Sequence, residues 1–165
     1  MTARVLLVTG SRALSDTHAA EVWARGMLRE RITREIVDSV VAGDARGPDE
    51  WAHEIAAKAS LRHDRWCLGG DVVTRYGDGH YDGRWLPKGT PIPTTHDAWA
   101  QRALARNRAM VEHAALKPES VRVLALLAPW SRTRGTQHTM RLAREHSLPV
   151  EVLTCPEAYG PRGSR

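Results

Sequence analysis

Three short segments set glycine beside arginine and hydroxyl groups: Gly10-Ser11-Arg12, Gly43-Asp44-Ala45-Arg46-Gly47, and Ser131 to Thr136, which reads SRTRGT. Glycine there admits torsions closed to other residues and lets an anion approach the backbone amides. Arginine adds a planar fork that pairs two phosphate oxygens at once, and Arg12 is the first candidate for that clamp. The hydroxyls of Ser11, Ser131 and Thr136 can donate to the same anion. Asp44 and Asp49 flank the second turn, where a carboxylate accepts from ribose hydroxyls or holds a neighbouring arginine. Each feature also has a plain structural role: Gly10 and Gly43 as turn glycines, Arg12 as a solvated surface charge, Thr136 as a helix cap or first-turn residue, and Asp49 with Glu50 as a favourable helix first turn.

Further along, Arg106, Asn107, Arg108 and Met110 interrupt an alanine-rich stretch. On a helix Arg106 and Met110 share a face and Asn107 is adjacent. Asparagine is a mediocre helix former, so a side-chain task competes there with a merely solvated polar face. Trp85, Trp99 and Trp130 can stack on a base or serve as core. Neither GxGxxG nor GxxxxGK[ST] occurs, which disfavours an ordinary dinucleotide dehydrogenase and a P-loop NTPase. Asp71, Asp78, His80 and Asp82 have the spacing of no calcium loop or zinc motif, and no metal or cofactor is expected. Cys67 and Cys155 form no redox or metal spacing and read as reduced thiols.

The elements that must hold these residues follow from hydrophobic runs and their punctuation. Arg4 to Thr9 (RVLLVT) predicts a strand, and Asp16 or Thr17 can cap a helix running to Ile32. Ile36 to Ala42 predicts a second strand, broken by the glycine turn, with Pro48 at the first turn of the next helix. A less regular strand is expected within 61–68. The stretch 69–95 has neither period and reads as an insertion, with a small hairpin of Val72-Val73-Thr74 and Arg84-Trp85-Leu86 around Gly77-Asp78-Gly79. Asp97 is positioned to cap a helix over 98–115, Val121 to Leu127 predicts a central strand, Thr136 begins a helix to about His146, and Pro149 to Leu153 ends the series. Five strands with helices between them predict an α/β Rossmann-like three-layer sandwich with a parallel sheet. Right-handed crossovers and the order 3-2-1-4-5 place a ligand at the ends of strands one and four, where the order reverses.

The 165-residue chain carries 42% hydrophobic residues and suits one domain, here 1–155 with a loose tail over 156–165. No run reaches the 18 apolar residues that span a bilayer and no signal-peptide layout opens the chain, so a cytoplasmic protein without membrane partners is expected. A net charge of +5 rests on arginine, with 21 arginines against 3 lysines. That balance suits small anions as well as nucleic acid. The arginines are scattered and no zinc finger or RNP-type strand occurs, which favours the small anion.

Taken together, G-S-R, G-D-A-R-G-x-D, R-N-R-x-M and the serine-containing R-G-T resemble the YspA-like, DUF2493 branch of the SLOG superfamily. That Rossmann-like group is related to the lonely-guy hydrolases and to DprA. The resemblance covers about residues 4 to 153. It implies a nucleotide-like, phosphate-bearing ligand held by Gly10, Ser11, Arg12, Gly43, Asp44, Arg46, Gly47, Asp49, Arg106, Asn107, Met110, Gly135 and Thr136. It also implies a homo-oligomer, for which the alanine-rich helix offers a face. The lonely-guy pattern P-G-G-x-G-T-x-x-E is not kept: the double glycine is missing and Thr139 stands at the glutamate. Threonine cannot do a carboxylate's acid-base work. The leading expectation is therefore nucleotide binding or sensing, with an N-glycosidic nucleotide hydrolase and a DprA-like nucleic-acid binder as alternatives.

Overall fold

In the computed structural model the described residues are 4–69, 71–74, 80–82 and 95–162. Five parallel strands form the heart of one sheet: β1 (Val5–Gly10), β2 (Ser39–Ala42), β3 (Arg62–Trp66), β6 (Val121–Leu127) and β7 (Val150–Thr154). Their spatial order is β3-β2-β1-β6-β7, which is the expected 3-2-1-4-5. Two further strands, β4 (Asp71–Thr74) and β5 (His80–Asp82), continue the sheet beyond β3 as an antiparallel hairpin.

The hairpin corrects one expectation. The partner of Val72 and Val73 is His80–Asp82, with Val72 opposite Tyr81 and Val73 opposite His80. The sequence places Arg84-Trp85-Leu86 opposite Val72-Val73-Thr74 because the two runs flank Gly77-Asp78-Gly79. Those three residues, with Gly77-Asp78-Gly79 and the rest of 83–94, lie outside the described residues, as do the side chains of Asp71, Asp78, His80 and Asp82.

Alternation along the strands builds the layers. Leu6, Val8, Val40, Leu124 and Leu126 pack on one face with α1 (His18–Thr33) and α2 (Pro48–Lys58). Leu7, Val41 and Val123 face the other way, against Ala109, Met110 and Val111 of α3 (His96–Ala114) and Leu142 and Ala143 of α4 (Arg134–Glu145). A strand buried on both faces reads as an unbroken apolar run, which is why RVLLVT and VRVLALL stood out.

Helix starts follow local chemistry. Thr17 caps α1, its hydroxyl oxygen accepting from Ala20 N at 3.2 Å. Pro48 opens α2, where its missing N–H costs nothing. α3 begins at Thr95 as cap, without a side-chain cap bond, and Asp97 lies in its first turn instead of capping it. Thr133 is the cap residue of α4, which puts Thr136 in the first turn. Past β7, buried Cys155 leads to a short 3-10 turn over Glu157–Tyr159, and Tyr159 O accepts from Thr17 Oγ1 at 2.5 Å. No described helix is long and apolar enough to cross a membrane.

Candidate functional site

The order of the sheet reverses between β1 and β6, which run side by side with Gly10 opposite Leu126. Beyond their carboxyl ends lies a hollow of about 600 Å³, roofed by α3 and closed on one side by the first turn of α4. Gly10, Arg12, Asp49, Arg106, Asn107, Ser131, Gly135 and Thr136 all line it, together with Met110. Eight residues chosen as candidates from four separate stretches therefore share one cavity.

The remaining candidates are nearby but differently employed. Ser11 is fully buried, and its hydroxyl oxygen accepts from Ala13 N at 3.2 Å, starting a 3-10 turn. Gly47, at φ 95°, takes a left-handed conformation just before Pro48 and passes close to Arg12 Cα. Asp44 and Arg46 line a second hollow of about 340 Å³ with Glu50 and Arg65.

Gly43 and Gly10 owe their identity to close approach. A methyl group on Gly10 would lie 2.5 Å from the Pro48 ring. One on Gly43 would lie 2.6 Å from both Arg106 Nη1 and Asp49 Oδ2. The absent side chain at Gly43 is what lets those two charged groups meet the end of β2.

Arg106 is nearly buried and fully engaged on one side. Its Nη1 donates to Asp44 Oδ1 at 2.5 Å and to Trp66 O at 3.0 Å, and its Nε donates to Asn107 Oδ1 at 2.7 Å. The Asn107 amide then reaches Gly135 O at 3.5 Å. Asp44 uses its second oxygen to accept from Leu68 N at 3.0 Å. One polar chain thus ties the turn after β2, the end of β3, α3 and the start of α4 around the hollow. The Arg-Asn pair that looked out of place in a helix is this strut.

The electrostatics are mixed rather than simply positive. Asp49 is buried, and loss of water pushes its carboxyl up to about 6 against the opposing pull of Arg106, Ala45 N–H and Arg12. Arg12 lies over the Trp99 ring, 4.8 Å from its centroid, a geometry in which the ring's negative face holds the cation. Arg132 and Arg134 are exposed beside the mouth. The opening turn of α4 also presents N–H groups that have no partner one turn earlier. Thr139 is fully buried and donates to Gly135 O at 3.1 Å, so its hydroxyl serves the helix. Within the hollow the buried carboxylate is Asp49.

Sequence reasoning missed several lining residues. Thr9, Ala100, Ala103 and Leu104 line the hollow only because α3 lies across the strand ends, and no local signal marks them.

No protein-family model matches the chain, and no curated protein matches it. Among solved structures it is similar to the X-ray structure of DNA processing protein A (DprA) from Streptococcus pneumoniae, with a TM-score of 0.60 and 19% sequence identity. The match covers 93% of this chain and 50% of that one, so the chain spans about half the length of its structural relative. The likeness shows the fold alone: the parallel α/β, Rossmann-like sheet described above is shared with that protein.

Proposed function

We propose that the hollow binds the phosphate of a nucleotide or nucleotide-derived ligand, and that the chain belongs to the YspA-like branch its motifs resemble. One observation carries the reading: candidates from the first strand end, the second turn, α3 and the α4 start line the same hollow at the reversal of strand order. Arg12 and the α4 amides supply the donors for an anion. Calorimetric titration with the four common nucleoside monophosphates tests it. Saturable binding is expected, weakened about 10- to 100-fold by Arg12→Ala, as fits loss of a charge-assisted hydrogen bond. No saturable binding by the wild-type chain, or an Arg12→Ala protein that binds equally well, overturns it.

The likeness to a DNA-processing protein supports a second reading, in which the phosphate belongs to a nucleic-acid strand. Exposed Arg132 and Arg134 beside the mouth and the net charge of +5 favour it too. Single-stranded DNA binding that falls steeply with salt and competes with nucleoside monophosphate is its signature. Absence of binding at low salt removes it.

A further inference from the structure

The hollow has two unlike ends, both set by α3. Toward the C-terminal half of the helix, Arg106 and Asn107 meet the strand ends and the opening turn of α4. Toward its N-terminal half, Trp99, Ala100, Ala103 and Leu104 supply an apolar strip, with His96, Asp97 and Gln101 lining the hollow beside it. Trp99 and Asn107 are separated by about 12 Å along the helix at the usual rise, which leaves room for a sugar between the two ends.

Trp99 is not spent on the core. Trp51 and Trp66 are buried within the two core clusters, and Trp23 and Trp130 pack against one of them. Trp99 belongs to neither cluster, is half-buried and lines the hollow. Arg12 over the ring limits its freedom, so the indole meets a ligand already oriented.

We propose that Trp99 is the stacking platform for the base of the nucleotide, while the phosphate lies toward the Arg106 end, at the opening turn of α4. This rests on the phosphate-binding reading above. It makes the site a whole-nucleotide site, recognising a flat aromatic base through its face and not a phosphate alone. Stacking tolerates any base, so the platform selects for the presence of a base before its identity.

The test compares ribose 5-phosphate with adenosine 5′-monophosphate by calorimetry, on the full chain and on Trp99→Leu and Trp99→Tyr. The ratio of the two affinities is the readout, because the substitution also frees Arg12 and can shift both. In the wild type the nucleotide should bind about 5- to 150-fold more tightly than the sugar phosphate, the range expected for one stacked base. Trp99→Leu should reduce that ratio to under about 3-fold, and Trp99→Tyr, which keeps an aromatic face, should restore most of it. An unchanged ratio in Trp99→Leu, or a wild type that does not prefer the nucleotide, overturns the platform while leaving phosphate binding in place. Failure of both probes to bind the wild type overturns the phosphate reading itself, and the platform with it.

Discussion

Arg106 Nη1 sits 2.5 Å from Asp44 Oδ1, joining α3 to the turn after β2 across 62 residues of sequence. The guanidinium is almost wholly buried, while the carboxylate keeps about a third of its surface exposed. Such a pair matters less for its net attraction than for what remains if one partner goes, since an uncompensated buried cation is costly.

Replacing Asp44 with alanine should therefore cost about 2–4 kcal/mol of folding stability, toward the lower end because the carboxylate is partly wet. Asp44→Asn, which keeps an acceptor for Leu68 N or for Arg106, should lose less. Urea unfolding at neutral pH measures both, and equal stability of Asp44→Ala and wild type would show that the strut carries nothing.

Asp49 makes stability depend on pH in the opposite sense to a salt-bridged carboxylate. Its pKa rises from the ordinary 3.8 to about 6, so the folded chain holds this proton more tightly than the unfolded chain does. The group costs nothing below about pH 4; the penalty then grows as pH rises and levels off above about pH 6, near 3 kcal/mol. Asn at this position keeps an acceptor for Ala45 N–H without the charge. The stability advantage of Asp49→Asn over wild type should widen between pH 4 and pH 7.5 in urea titrations, and an advantage that shrinks over that range would contradict the assignment.

Two glycines should respond oppositely to alanine. Gly10→Ala drives a methyl group into the Pro48 ring, which has little freedom to yield, and should destabilise by about 1–3 kcal/mol. Gly26 lies in the middle of α1 with open space around it, so Gly26→Ala should stabilise by about 0.5–1 kcal/mol. Thermal unfolding of the two variants side by side checks the pair.

The parts of the fold that were legible are those where burial on both faces makes the signal continuous. Val121 to Leu127 was read to the residue as β6. The second strand came out shorter than its apolar run, beginning at Ser39, because Ile36 is 64% exposed and precedes the pairing with β1. The hairpin partner was misplaced because His80-Tyr81-Asp82 has no apolar run of its own and is a strand by pairing with β4. At the site, glycine turns after apolar runs could be placed together because the topology of a parallel sheet brings its strand ends to one edge. That Asp44 holds an arginine was one of two readings of its position, but which arginine could not be read, since Arg106 arrives on α3 from a distant part of the chain. Nor could the apolar strip of Ala100, Ala103 and Leu104, whose residue types are those of any helix.

The most direct test is a crystal of the chain soaked with adenosine 5′-monophosphate. The account predicts the phosphate within hydrogen-bond reach of Arg12 or of the backbone N–H groups at Gly135 and Thr136, with the adenine flat against Trp99. Phosphate density bound only at surface arginines away from Gly10 and Gly135, with the hollow left to solvent at saturating ligand, would contradict it.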